Sequence, residues 1–413
     1  MIPFAAALLL GTAVASQSPD PRQAVAEFST YCAGGKALWG RSLCGPLLFV
    51  DPGSKTATTS FDPGLPGFAK DGAVWKGTLP ANVGIANTSV DFGGKRVAEI
   101  LLPLPTDAIE RRVLLSHESY HRIQPDLGFK GREADNGHLD QRDARIYARL
   151  EIAALKAALS GKNWRGAARD ALGYRAERLA RFKDAGASEA SLVANEGLAE
   201  YTGVRVGAGA KAATVAMKRL DGAIERPSLI RSFGYVVGPA YGLLLDRAAA
   251  RNWHTAALKG RPVPDLLQTA LGGQASRKLV GTEYDGAQIV AEETARDANI
   301  QRRKFELTAE LVDGPSVTFP FDKMSIDFNP NTLFSLGEAG TVYSQSTTIR
   351  DAWGSFKATG DVLLSPDWKY ARLPGPAKAE GRSLSGPGWS ADLADGYSAV
   401  AGSRAGDLVI QKR

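Results

Sequence analysis

Leu114-Leu115-Ser116-His117-Glu118-Ser119-Tyr120-His121 is the segment whose residue types and spacing carry the most chemistry. On a helix of 3.6 residues per turn, side chains four apart stand about 40° and 6 Å from each other, so the rings of His117 and His121 leave one face and converge on one ion. Imidazole donors at about 2.0–2.1 Å suit zinc. Glu118 lies about 100° around from His117, where its carboxylate reaches a water on that ion without being a ligand, which is the place of a general base. Two histidines leave the ion short of protein donors, so the pattern demands a third ligand from elsewhere in the chain. Four protein ligands would close the site and make it structural, whereas three leave a position for water.

Asn195-Glu196-Gly197-Leu198-Ala199-Glu200-Tyr201 offers acidic candidates. With these two segments the sequence resembles the gluzincin zinc metallopeptidases, in which a glutamate on a second helix within an N-E-G-x-A-like segment completes the site. The resemblance implies one Zn2+ held by His117, His121 and Glu196, with Glu118 as the catalytic base. Glu200, one turn beyond Glu196, is then placed to hydrogen-bond the free ring nitrogen of a ligand histidine. Tyr235-Val236-Val237-Gly238 is similar to the tyrosine-x-x-glycine segment whose phenol stabilises the tetrahedral intermediate in aminopeptidase-like members, although Tyr201 and Tyr241 compete for that role. The resemblance spans about residues 95–250. It departs in the 74 residues between His121 and Glu196 and in lacking a G-x-M-E-N segment, so aminopeptidase specificity is not expected. The arrangement also resembles a group of uncharacterised exported bacterial proteins classed as peptidases. Its implication is an exported zinc-dependent peptidase acting on a peptide or protein substrate. The alternative is a catalytically inactive zinc-binding or envelope-binding protein on the same scaffold. His138, in Asp135-Asn136-Gly137-His138, is either a substrate or oxyanion contact or a histidine of a surface turn, and His254 beside Trp253 reads as structural.

The elements around these residues follow from their patterns. Short β-like runs at 46–50, 57–61, 74–79, 85–91 and 96–102 form a small, mostly antiparallel sheet over about 45–104, with Phe92-Gly93-Gly94-Lys95 as a hairpin turn. The run at 96–102 is the expected edge strand, able to pair with an extended peptide. Thr106 or Asp107 caps a helix that carries the H-E-x-x-H residues and that Pro125 must end. Helix formers then dominate 105–304, with helices expected at 142–159, 164–182, 187–201, 210–220 and 232–250. Period-two alternation returns with Phe305-Glu306-Leu307 and Val317-Thr318-Phe319, with Asp313-Gly314 as a hairpin turn and 373–389 as a surface loop. The expected class is α+β: a zincin-like metallopeptidase domain over 16–304, its cleft between sheet and helices, followed by an all-β domain over 305–413.

Length and composition fit two or three folded units, since 413 residues exceed one average domain of about 100–200. The 45 glycines and 22 prolines fall well below the roughly 25–30% of low-complexity chains. A net charge of +6, spread without basic runs, leaves no nucleic-acid footprint. Residues 2–15 are uncharged and mostly apolar and end in Ala13-Val14-Ala15, the small-x-small form of a signal-peptidase site, so 1–15 is read as a cleaved signal peptide and the protein as periplasmic or secreted, with no stable membrane span thereafter. In such a compartment the two cysteines, Cys32 and Cys44, are expected to pair as a disulfide.

Overall fold

A computed structural model describes residues 18–129, 135–224, 226–274, 283–329 and 332–413. The expected signal segment, 1–15, lies outside the described residues. The chain divides into two compact units, Met1–Glu293 and Thr294–Arg413. Among the described residues no helix is long and apolar enough to cross a membrane.

The first unit opens with α1 (Pro21–Ser29) and α2 (Gly35–Trp39), joined through a turn that the Cys32–Cys44 disulfide clips. Six strands follow: β1 (Leu47–Val50), β2 (Thr56–Thr59), β3 (Ala69–Asp71), β4 (Val74–Thr78), β5 (Thr88–Phe92) and β6 (Lys95–Leu101). They form one sheet in the order β3-β4-β2-β1-β6-β5, antiparallel except for the β1–β6 pair. Gly93 and Gly94 both take positive φ, +54° and +71°, which is what a two-residue turn between β5 and β6 requires. Strand β6 therefore lies inside the sheet. The edge is β5, because the hairpin folds β5 outward once β6 has paired with β1; this corrects the expected edge at 96–102.

Asp107 caps α3 (Ala108–Ile123) by accepting hydrogen bonds from the backbone N–H of Ile109 and Glu110, and Pro125 follows its end. Both faces of β1 are covered, which is why Leu47-Leu48-Phe49-Val50 reads as a continuous apolar run. Leu47, Phe49, Ala98 and Ile100 join Leu115 and Tyr120 of α3 in the main core. Leu48, Val50 and Val97 face a separate cluster on the other side. Each such buried Val, Leu, Ile or Phe side chain contributes about 1.5–3 kcal/mol.

The remaining helices are α4 (Arg142–Ser160), α5 (Trp164–Arg181), α6 (Ala185–Leu192), α7 (Leu198–Thr202), α8 (Ala212–Ile224), α9 (Phe233–Arg247), α10 (Trp253–Leu258), α11 (Val263–Leu271) and α12 (Gly286–Thr308). The helix expected over 187–201 is interrupted. Val193–Gly197 and Gly203–Ala208 are π turns flanking α7, each adding a residue to the turn. Close backbone packing holds this rod. A Cβ on Gly238 of α9 would lie 2.3 Å from the Gly197 Cα, and one on Gly203 would lie 2.8 Å from the Val113 carbonyl of α3. Glycine is the residue that permits both approaches.

The second unit is a sandwich of a seven-stranded and a six-stranded sheet among the described residues. Phe319, Leu364 and Leu373 from one sheet and Phe356, Leu384 and Trp389 from the other fill the space between them. Three expectations are corrected here. Phe305-Glu306-Leu307 is helical, since α12 runs to Thr308 and seats Leu307 with Leu311 on Val342 and Leu363. Asp313 ends a π turn, Ala309–Asp313, with Gly314 just beyond it, rather than closing a hairpin. The presumed loop at 373–389 holds strands Lys378–Glu380 and Ser383–Gly386, short runs that glycines and prolines punctuate rather than prevent.

Candidate metal centre

Helix α3 is buried along its length, between β5 and β6 on one side and α7 with its π turns on the other. That burial fixes the two histidine rings. His117 Nδ1 donates to Glu200 Oε2 at 2.8 Å, and His121 Nδ1 donates to Gln124 Oε1 at 2.9 Å. With both Nδ1 atoms committed as donors, each Nε2 presents a lone pair when its ring is neutral. The Nε2 atoms stand 3.1 Å apart, and Glu196 Oε2 lies 3.2 Å from that of His121 and 3.5 Å from that of His117.

Three acceptor atoms thus meet at a single point, an arrangement that repels itself and attracts a cation. Ligands about 2.0–2.1 Å from a tetrahedral ion are themselves about 3.3–3.4 Å apart, so the observed triangle fits one metal ion. The electrostatics agree. Burial disfavours charge on His117, yet the Glu196 and Glu200 carboxylates outweigh it and push its pKa up to about 10. Burial would also raise Glu196, but the His117 and His121 rings, when protonated, hold it far below the usual carboxylate range. The cage is built to hold positive charge.

Around the triangle each donor is itself held. Glu200 Oε1 accepts from Arg219 Nε at 2.8 Å, and Arg219 also binds Glu110 of α3. Gln124 turns its amide to the carbonyl of Asn195 at 3.3 Å, bridging the end of α3 to the Glu196 turn. Asn195 Nδ2 donates to Glu196 Oε1 at 2.8 Å. Such outer partners orient metal ligands and set their basicity.

Glu118 is 4% exposed, and a carboxylate oxygen of it lies within 4.8 Å of a ring nitrogen of each histidine, close enough to serve the same ion. Burial raises its pKa, partly offset by the histidines. The Tyr235 ring stacks on His117 at 5.4 Å and 5°, with its phenol close to Glu196. Burial and the adjacent Glu196 charge keep that phenol protonated far above its ordinary range, so it is an O–H donor at any working pH. His117, Glu118, His121, Glu196, Glu200 and Tyr235 all line one cavity of about 590 Å³, with Asn87, Thr88 and Ser89 of the β5 edge on its wall.

The other candidates sit elsewhere. Tyr201 donates to Asp246 and Tyr241 to Glu151, both in the core. His254 is stacked on Trp253. His138 belongs neither to the cavity wall nor to a surface turn, which corrects both of its expected roles. Its Nε2 bonds Glu189 at 2.8 Å, and Glu189 is gripped by Arg178, which continues to Glu151 and Tyr241. This buried network anchors α6 just ahead of the Glu196 turn.

Gln124 and Arg219 escaped the sequence reading, since an amide or a guanidinium in a helix carries no spacing signal, and Asn195 entered it only as part of the N-E-G segment, without a role. Glu99 did leave one, as a lone acid in the apolar run of β6. It is fully buried, and burial, with Glu118 nearby, lifts its pKa to about 7.

Comparison with known proteins adds no assignment: no protein family, no curated protein and no solved structure matches the chain.

Proposed function

We propose that the chain is a zinc-dependent peptidase of gluzincin type. The observation that carries this reading is the triangle of His117 Nε2, His121 Nε2 and Glu196 Oε2, 3.1–3.5 Å on a side, with Glu118 and Tyr235 on the same cavity. Imidazole and carboxylate donors in a three-ligand site favour zinc over magnesium or calcium, which take oxygen donors in larger number. When bound, zinc supplies a water acidified to a pKa of about 7 and a Lewis acid for the carbonyl.

This chain's residues do the rest. Glu118 accepts the proton of the attacking water and passes it to the leaving amine, a task suited to a carboxylate whose pKa burial has raised. Tyr235, held protonated, donates a hydrogen bond to the oxyanion. The free side of β5, with Thr88 and Ser89 at the cavity, suits an extended peptide added as a further strand, so that backbone bonds align the scissile carbonyl with Glu118. Export is part of the proposal, and the Cys32–Cys44 disulfide, a bond that persists in oxidising compartments, supports it.

The test is hydrolysis of a quenched peptide library by wild type and Glu118→Gln at equal zinc content. The expected result is cleavage by wild type and a loss of at least about 100-fold in the variant, which removes the base and keeps the ligands. Equal turnover of the two proteins would refute the assignment.

A further inference from the structure

Behind Tyr235 lies a second cavity, of about 240 Å³, whose walls include Glu200, Arg219, Arg226, Arg231, Ser232 and Tyr235. Three of these, Glu200, Arg219 and Tyr235, also line the cavity of the metal centre, so the two spaces are one side chain apart. The charge within it is unbalanced. Glu200 is committed to His117 and Arg219, and Arg219 to Glu200 and Glu110. Arg226 and Arg231, in contrast, have no ion pair or guanidinium hydrogen bond among the described residues.

The loop that carries them is a built one. Leu229 is fully buried and its N–H donates to Asp140 at 3.1 Å; Arg145 reaches the Arg226 carbonyl; Ser232 Oγ donates to the Ser228 carbonyl at 3.2 Å. Both arginines are exposed, and the anchored loop sets their guanidinium groups, unpaired among the described residues, on the wall of a cavity with room for one side chain. A carboxylate is the anion that their paired N–H donors match.

We propose that this cavity is an anion subsite of the hydrolytic centre, taking a carboxylate that the substrate carries beside the bond to be cut. The inference rests on the peptidase reading for its position and on Arg226 and Arg231 for its chemistry. The carboxylate has two sources, an acidic side chain or a peptide C-terminus, and one peptide set separates them: an amidated neutral peptide, amidated versions with one glutamate walked through each position, and the neutral peptide with a free C-terminus.

Wild type is expected to favour an acid-bearing peptide over the amidated neutral one by about 10- to 100-fold in kcat/KM, as charge-assisted hydrogen bonds allow. In the Arg226→Ala, Arg231→Ala double variant this ratio falls to about one, and in Arg226→Glu, Arg231→Glu the preference passes to lysine-bearing peptides. Preference for a walked glutamate identifies the side chain, and preference for the free C-terminus identifies the terminal carboxylate. No preference in wild type, or one that survives in both double variants, overturns the inference. Fluorescence anisotropy of the labelled glutamate and glutamine peptides, and of the neutral peptide with a free and an amidated C-terminus, with zinc-loaded Glu118→Gln, alone and combined with the arginine changes, separates this from failure of the peptidase reading. Tighter binding of the acid-bearing peptide of either pair, lost with the arginines, upholds the subsite even if wild type cleaves nothing. Equal binding within both pairs, glutamate against glutamine and free C-terminus against amide, overturns it.

Discussion

Replacing Gly238 by alanine should disable the metal centre without touching a ligand. A Cβ at Gly238 would stand 2.3 Å from the Gly197 Cα and 2.6 Å from its carbonyl oxygen, where ordinary contact begins at 3.4 Å. The atoms met are backbone on both sides, so no side chain can swing away, and α9 must part from the Glu196 turn by about 1 Å. Overpacking of this kind costs typically 1–3 kcal/mol. Ligand distances tolerate only about ±0.2 Å, so a 1 Å displacement carries Glu196 Oε2 out of the triangle. Zinc affinity should then fall by more than the 10- to 100-fold typical of losing a supporting partner. Chelator competition measures that affinity, and chemical denaturation in excess EDTA measures the stability cost separately from the metal. Gly222→Ala is the control, since its Cβ meets nothing within 4 Å on the exposed face of α8, and it should stabilise by about 0.5–1 kcal/mol with zinc binding unchanged. Wild-type zinc affinity in Gly238→Ala would refute the claim that this glycine contact places Glu196.

Four further outcomes follow from the geometry. Glu196→Gln should lose zinc on dialysis while His117 and His121 remain, as read by metal content per chain, because a neutral amide replaces an anionic ligand. Gln124→Ala and Glu200→Gln should each weaken zinc by about 10- to 100-fold, measured by chelator competition, since each frees a ring that is now held in one tautomer. For Glu189, burial opposes ionisation but Arg178 and His138 prevail and hold its pKa down to about 2, so its stabilisation is present above its unfolded pKa near 4.5 and is lost as pH falls from there toward 2. The stability gap between wild type and Glu189→Gln, about 3 kcal/mol at neutral pH, should therefore narrow through that window in denaturant titrations. Replacing both Cys32 and Cys44 by serine should cost about 3 kcal/mol for a loop of 12 residues, visible as a lower denaturation midpoint.

The sequence displayed the parts of the fold that repeat a local rule. The start of α3 was legible from Asp107 and its end from Pro125, the β5–β6 hairpin from Gly93-Gly94, and the pairing of two histidines from their spacing of four. What stayed hidden was set by contacts distant in the chain. That β5 and not β6 forms the edge depends on β6 pairing with β1, about fifty residues away. The π turn at Val193–Gly197 leaves the helical pattern of the sequence unchanged, and it packs against Gly238, about forty residues further along the chain. His138 read as a turn residue because its local sequence is one; the Glu189 that claims it lies on another helix. The second-unit strands near 378–386 were missed because glycine and proline at their ends looked like a continuous loop.

The central claim is that three donor atoms, far apart in the chain, grip one zinc ion, and anomalous diffraction at the zinc edge from crystals of the zinc-loaded protein tests it most directly. The account predicts one peak, about 2.0–2.2 Å from each of His117 Nε2, His121 Nε2 and Glu196 Oε2, with Glu118 outside the coordination sphere. A peak that excludes Glu196, or no peak at the histidine pair, would contradict it.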